Sequence, residues 1–123
     1  AIFLNLKGNV CEGTGSNVFM VKNGVVITPP LSDGLLAGIT RDAVIEAMPV
    51  SIRFSELSFT RPELMDADEV FLTSSTRDIQ PIEQIDDKQF KSGPITEELM
   101  LKGQWKLRCR CICECNLGQE GGL

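Results

Sequence analysis

The 123-residue chain contains no histidine and no tyrosine. Histidine is the usual general base in catalysis and the commonest metal ligand, so its absence excludes Ser-His-Asp and Cys-His nucleophilic catalysis. No apolar run approaches the roughly 18 residues that a membrane span needs. The first residues also lack the basic-then-apolar pattern of a secretory signal. We therefore expect no membrane partner and a cytoplasmic location.

Positive charge is scarce as well. Twelve lysine and arginine residues stand against 17 aspartate and glutamate residues, which gives a formal net charge of −5. No basic face stands out along the chain before its end, so we expect no nucleic-acid partner. The acidic balance does not exclude a phosphate ligand, because backbone N–H groups alone can bind one.

The order of strand and turn signals predicts a strand-dominated α+β domain with two or three short helices. Asn23-Gly24 between the apolar runs Asn17–Val21 and Val25–Thr28 predicts a β-hairpin, because both turn residues tolerate a positive φ. Thr60-Arg61-Pro62-Glu63 has the form of a capping box at the start of a brief helix. The other expected elements are a buried strand over Ala1–Asn5, strands over Val70–Thr73 and Ile79–Ile85, and helices over Thr40–Met48 and from about Thr96.

A carboxylate and a glycine-containing turn lie together near the start of the chain. Glu12 follows apolar Val10 and precedes Gly13-Thr14-Gly15, a setting in which we expect the side chain to be partly buried. A buried carboxylate needs a partner, and a protonated aromatic nitrogen is a suitable one. The two glycines let the backbone approach a flat ring closely. Taken alone, the segment also fits a surface β-turn with an exposed glutamate.

Two further segments carry groups that bind phosphate. Leu36–Arg41 leads into a helix whose first-turn N–H groups, together with the Thr40 hydroxyl, could hold a phosphate. Thr40 fits equally well as an ordinary helix cap. Thr73–Thr76 places four hydroxyl groups after a strand. These could bind the same phosphate or form a solvated polar loop.

Together and in this order, the segments resemble the C-terminal domain of the class-IV aminotransferases, the pyridoxal-phosphate enzymes of fold type IV. That family includes branched-chain and D-amino-acid aminotransferases and aminodeoxychorismate lyase. The resemblance runs from about Ala1 to about Glu98, and the segment from Ser74 to Pro81 is most similar to the lyase-like members. The matching segments are Glu12–Asn17, Thr28–Leu31, Leu36–Arg41, Asp68–Thr73 and Gly93–Thr96.

The resemblance implies both a fold and a reaction class. The fold is a strand-dominated, pseudo-barrel-like α+β domain that binds pyridoxal 5′-phosphate. The reaction is amino-group transfer between an amino acid and a 2-oxo acid, or elimination of pyruvate from an aminodeoxychorismate-like substrate, through a Schiff base. Family members are typically homodimers, so a second copy is the expected protein partner.

The resemblance also implies a role for each matching residue. Glu12 would pair with the protonated pyridine nitrogen, and Leu36 would pack on a face of the ring. Ser74 and Thr76 would lie near the carboxylate of the substrate. The complete set of cofactor-binding positions would be Glu12, Leu36, Gly38, Ile39, Thr40 and Ser75.

One expected residue has no match. In the family the lysine that forms the Schiff base precedes the glutamate by several tens of residues, whereas only eleven residues precede Glu12 here. Lys7 lies too close along the strand to reach over the ring. We therefore assign no catalytic residue, and we expect the chain to be a fragment without the N-terminal half and inactive by itself.

The end of the chain departs from the family pattern. We divide the chain into a cofactor-binding domain over residues 1–102 and an atypical cysteine-rich tail over residues 103–123, which we expect to be disordered or non-native. Four thiolates suit zinc or copper(I), but the C-x-C spacing of Cys109–Cys115 is poor for tetrahedral zinc, so we predict no metal site. The alternative function is a non-catalytic remnant or a metal-binding module acting through this tail.

Overall fold

A computed structural model describes residues 2–75, 78–91 and 93–102 of the chain. Within these ranges the backbone forms three α-helices, which are α1 (Ile39–Glu46), α2 (Arg61–Met65) and α3 (Pro94–Lys102). The same ranges contain nine strands, which are β1 (Ile2–Leu4), β2 (Val10–Gly13), β3 (Asn17–Lys22), β4 (Val25–Thr28), β5 (Arg53–Glu56), β6 (Glu69–Ser74), β7 (Asp78–Pro81), β8 (Gln84–Ile85) and β9 (Lys88–Gln89).

A mixed sheet in the order β5-β4-β3-β6-β7 organises these elements. Strands β3 and β4 form the predicted hairpin, with Asn23 and Gly24 at φ values of 53° and 78° in its turn. Strand β5 pairs parallel to β4, and α1 lies in the connection between them. The pairs β1–β2 and β8–β9 form two small sheets. The predicted strand-dominated α+β class is confirmed, with the described strands forming open sheets.

Two apolar clusters pack against the central sheet, one on each face. Phe19 of β3 and Phe71 of β6 occupy paired positions, and their rings stack with centroids 4.9 Å apart. This pair contacts apolar residues of α1 and α3, so we call this side the α1 face. Their strand neighbours Val18 and Val70 point to the other side, where they pack in the cluster that contains Leu64 of α2. The alternation places Asn17 and Thr73, another pair of opposed residues, on the α1 face.

Several sequence predictions need correction. The first strand forms, but it is not buried: within the described residues it pairs with β2 at the surface, and Phe3 and Leu4 are about half exposed at 50% and 46%. Strand β2 was not predicted. The expected strand Ile79–Ile85 is divided into β7 and β8, because pairing with β6 ends at Pro81.

The predicted start of α2 is confirmed. The Thr60 hydroxyl accepts from the Glu63 N–H, and Glu63 Oε1 accepts from the Thr60 N–H at 3.0 Å, which completes a capping box. No helix in the described part of the chain is long and apolar enough to cross a membrane. The predictions for Thr76 and for the cysteine-rich tail at residues 103–123 fall outside the described residues.

Candidate functional site

An open cleft with a volume of about 350 Å³ lies at the N-terminus of α1. Three stretches of chain line it: the end of β2 with the following turn, the loop before α1 with its first helical turn, and the end of β6. The lining residues are Glu12, Gly15, Ser16, Asn17, Leu36, Ala37, Gly38, Ile39, Thr40, Arg41, Thr73, Ser74 and Ser75. The fold thus brings together the three segments that the sequence predicted to bind one ligand.

Asn17, at the start of β3, fixes the loop that leads into α1. Its Nδ2 donates to the Leu36 carbonyl at 2.8 Å, and its Oδ1 accepts from the Gly38 N–H at 3.2 Å. A Cβ at position 38 would lie 2.7 Å from that same Oδ1, so the close approach requires glycine. Sequence reasoning gave Asn17 no role, although a polar residue opening a buried apolar strand was a usable signal.

Glu12 is half-buried and faces the cleft. Its Oε1 accepts from the Leu36 N–H at 2.9 Å, so the carboxylate is held against the loop before α1. The alternative in which Glu12 is an exposed residue on a surface turn therefore does not apply. Gly15 in the adjacent turn has a φ of 60°, which favours glycine. Leu36 itself is 78% exposed, and it presents a large apolar side chain at the edge of the cleft.

The first turn of α1 opens into the cleft. Gly38 is the N-cap residue, and no side chain caps this end of the helix. Thr40 is therefore not the cap, which corrects one of the two sequence interpretations; its buried hydroxyl instead donates to the Ser74 carbonyl at 3.1 Å. Helix geometry leaves the N–H groups of a first turn without intrahelical acceptors, and it gives this end a partial positive charge.

The end of β6 contributes hydroxyl groups. Ser74 is half-buried and Ser75 is exposed, and both line the cleft. Thr73 Oγ1 and Ser16 Oγ also belong to cleft residues, and both atoms are buried without a hydrogen-bond partner in the described structure. A buried hydroxyl without a partner costs about 1–3 kcal/mol, so each is a candidate for interaction with a polar ligand. Thr73 opens the hydroxyl run that the sequence suggested could bind a phosphate, whereas no individual role was predicted for Ser16.

Charge in the cleft comes from few residues. Among the described lining residues, Glu12 is the one carboxylate and Arg41 the one cation, and no lysine is present. Next to Glu12 along β2, the Cys11 thiol donates to the Asp33 carbonyl at 3.3 Å. Burial raises the pKa of this thiol, and the negative charges of Glu12 and Asp33 raise it further. The region around Cys11 thus opposes a new negative charge, whereas the first turn of α1 favours one.

Comparison with known proteins places this arrangement in a family. The family model for class-IV amino-transferases matches residues 1–85. A "probable branched-chain-amino-acid aminotransferase" of Aquifex aeolicus is 42% identical over 104 residues, covering 80% of this chain and 33% of the relative.

Two solved structures show the same fold. The branched-chain aminotransferase of Thermoproteus uzoniensis, solved with norvaline, has a TM-score of 0.78 and 43% identity, over 98% of this chain and 38% of that one. The 4-amino-4-deoxychorismate lyase of Pseudomonas aeruginosa has a TM-score of 0.77 and 29% identity, over 82% of this chain and 38% of that one.

The chain therefore belongs to the class-IV aminotransferase family, as its motifs indicated. It spans about a third of the length of the curated relatives that it matches, with 33% of the Aquifex protein covered. Both aminotransferases and lyases are among its structural neighbours, and of the two structures described the branched-chain enzyme has the higher identity.

Proposed function

We propose that the cleft binds pyridoxal 5′-phosphate, and that this chain is the cofactor-binding domain of an enzyme acting on small amino-acid or 2-oxo-acid substrates. The reaction is amino-group transfer or, with an aminodeoxychorismate-like substrate, elimination of pyruvate. The observation that carries the proposal is that a carboxylate, an uncapped helix N-terminus and a hydroxyl-rich strand end line one cleft. Its volume of about 350 Å³ is within the range of small-molecule sites.

The residues of the cleft fit the chemical groups of this cofactor. The N–H groups of Ile39 and Thr40 would hold the phosphate with the Ser75 hydroxyl, because a helix N-terminus attracts an anion. While the Thr40 hydroxyl donates to the Ser74 carbonyl it has no proton for the phosphate, so we assign that contact to the Thr40 backbone. The Gly38 N–H already donates to Asn17 Oδ1, so we assign it no bond to the phosphate. Glycine at this position allows the backbone to lie close to the Asn17 side chain.

The remaining cleft residues fit the ring and the substrate. Pyridoxal phosphate, when bound, supplies an electron sink for negative charge at the α-carbon of the substrate. Glu12 would provide the counter-charge that keeps the pyridine nitrogen protonated, and its hydrogen bond to the Leu36 N–H holds the carboxylate in place. Leu36 would cover a face of the ring, and Ser74 would lie near the carboxylate of the substrate. The family resemblance gives the same role to Thr76, which falls outside the described residues.

A covalent bond to the cofactor requires an amine that the described cleft does not contain. We therefore propose that this chain by itself holds the cofactor non-covalently, and that the Schiff-base lysine of the active enzyme is not one of the lysines of this chain. Borohydride reduction of the chain mixed with pyridoxal phosphate, followed by mass spectrometry, tests this. A stoichiometric adduct at one lysine would show that the chain carries the catalytic amine itself.

The proposal extends to assembly and location. We propose a homodimer in the cytoplasm, with residues 1–102 as the folded domain, as the family resemblance implies. Exposed apolar side chains at Phe3, Leu4 and Leu6 are the kind of surface that another part of such an assembly covers. Light scattering on the purified protein measures the dimer directly, and a monomer at micromolar concentration contradicts that part of the proposal.

Substitution of Glu12 by glutamine tests the cofactor site. The amide retains an oxygen that can accept from the Leu36 N–H, so the fold should persist, but it cannot neutralise a protonated pyridine nitrogen. We expect the affinity for pyridoxal phosphate, measured by absorbance titration, to fall about tenfold, equivalent to about 1.4 kcal/mol. Glu83→Gln, at an exposed position outside the cleft, is the matched control. Equal affinity in Glu12→Gln and Glu83→Gln would remove Glu12 from the site.

A further inference from the structure

The side chain of Arg41, a cleft residue, connects the start of α1 to the ends of β4 and β5. It lies in the first turn of α1 and its side chain is 3% exposed. Nη2 donates to the Pro29 carbonyl at 3.2 Å and to Glu56 Oε2 at 3.2 Å, and Nη1 donates to Asp42 Oδ1 at 3.2 Å. Pro29 follows β4 directly and Glu56 is the last residue of β5, so one guanidinium joins the helix start to two neighbouring strand ends.

This arrangement is not accounted for by stability alone. The Arg41 side chain is buried although Asp42 and Glu56 are 48% and 42% exposed, so its charge is removed from water at a desolvation cost that an apolar side chain would not have. Arg41 carries an additional cost, because its Nε is buried and has no hydrogen-bond partner in the described structure. What the guanidinium provides, and an apolar side chain cannot, is a directional attachment of the first turn to fixed acceptors.

The attachment complements the contacts on the opposite side of the helix start. There the Thr40 hydroxyl bonds the Ser74 carbonyl at the end of β6, and Asn17 holds the preceding loop. Arg41 supplies the contacts to β4 and β5. The first turn of α1 is therefore held from both sides, although no side chain caps it.

We infer that Arg41 is a positioning residue for the phosphate group of the ligand. It fixes the first turn of α1 between the strand ends, so that the N–H groups of that turn stay directed into the cleft. The inference rests on the proposed function, and it names a residue that acts on the phosphate through the backbone rather than by direct contact. Its signature is a loss of affinity restricted to ligands that carry the phosphate.

The test compares pyridoxal phosphate with pyridoxal, which lacks the phosphate, by titration of the intact chain and its variants. We expect Arg41→Met to lower the ratio of the two affinities about tenfold, the amount expected for losing well-placed hydrogen bonds to an anion. Arg41→Lys keeps the charge but has one donor group in place of a planar fork, so we expect a smaller fall, about threefold. Arg61→Met, which removes an ion-paired arginine outside the cleft, should leave the ratio unchanged.

Each outcome has a definite meaning. A general structural role would lower the affinities for both ligands together or lower only the melting temperature, and an unchanged ratio in Arg41→Met would overturn the inference. If Arg41→Met does not fold, Arg41→Lys decides, because a wild-type ratio there has the same consequence. If the unmodified chain binds pyridoxal as tightly as pyridoxal phosphate, the proposed phosphate site fails and the inference fails with it. If the unmodified chain prefers pyridoxal phosphate and the Arg41 variants keep the same affinity ratio, the inference fails while the proposed phosphate site stands.

Discussion

The two ends of strand β6 meet helix N-termini in opposite ways. At its start, the buried Glu69 carboxylate accepts from the Thr96 N–H at 2.8 Å and from the Thr96 hydroxyl at 2.7 Å, which closes the first turn of α3. At its end, Ser74 offers a carbonyl to Thr40 and no acid to the first turn of α1. One strand thus completes one helix with its own carboxylate and leaves the other available to a ligand.

The first turns of the helices show the same difference. Helix α3 begins at Pro94, and α2 has Pro62 in its first turn. Proline has no backbone N–H, so each of these first turns has one fewer donor that would need a partner outside the helix. Helix α1 begins Ile39-Thr40-Arg41, and all three residues retain their N–H groups. A helix start that keeps its donors and has no side-chain cap, at the edge of a cleft, is suited to binding an anion.

The largest expected effect is at the closed end of β6. Glu69→Ala would leave the buried N–H and hydroxyl of Thr96 without an acceptor, so we expect a loss of about 3 kcal/mol in the free energy of unfolding, measured with urea. Glu97→Ala, an exposed acid in the same first turn, is the control and should cost no more than about 0.5 kcal/mol. If the two variants are equally stable, Glu69 does not close α3.

The open end of β6 is tested by removing one donor from α1. Ile39 is the first residue of the helix, a position where proline is well tolerated, and Gly38 before it has the extended backbone that precedes proline readily. Ile39→Pro should therefore keep the helix but remove one N–H from the cleft. We expect a roughly tenfold weaker affinity for inorganic phosphate, followed by nuclear magnetic resonance shifts of the Thr40 and Arg41 amides.

The control for this variant keeps the donor while shortening the side chain. Ile39→Val retains the N–H and most of the apolar volume, so phosphate affinity should stay within about twofold of the unmodified chain. Equal weakening in the valine and proline variants would assign the effect to the side chain and argue against a backbone anion site.

Local patterns predicted the parts of the fold that depend on neighbouring residues. The Asn23-Gly24 hairpin and the Thr60–Glu63 capping box are determined within a few positions, and both are confirmed. Their energetics act over short distances, so the sequence alone is sufficient to recognise them.

The sequence did not predict the features that depend on long-range contacts. Asn17 bridges to Leu36 and Gly38 across about 20 positions, with a separation of 19 for the first pair. Glu69 closes α3 across 27 positions. In both cases the residue type signals only that a buried polar group needs a partner, and the partner is determined by how the strands and helices pack.

A smaller effect is expected at α2, where the cap is local and partly exposed. Thr60→Ala removes the acceptor for the Glu63 N–H, and such losses cost about 1 kcal/mol. Urea unfolding should therefore rank Thr60→Ala below Glu69→Ala in destabilisation. Thr60→Asn, which can still cap the helix, should recover most of the lost stability. If Thr60→Ala lost as much free energy of unfolding as Glu69→Ala, burial of the cap would not determine how much stability its removal costs.

The smallest expected effect is at Cys11, whose surroundings oppose a negative charge, whereas the first turn of α1 favours one. Burial, then Glu12 and Asp33, raise the pKa of Cys11 above the ordinary value of 9.0. Well below that value, near neutral pH, the thiol is protonated in the folded and unfolded chains alike, so its contribution to stability does not change with pH. As the pH rises further, the unfolded chain loses the proton first, and stability falls by less than about 1 kcal/mol by about pH 9.5. Urea unfolding from pH 8 to 10 should show this decline in the unmodified chain and a shallower one in Cys11→Ala. An identical decline in both would mean that other groups cause it, and that burial and the charges of Glu12 and Asp33 do not raise the pKa of Cys11 as the structure indicates.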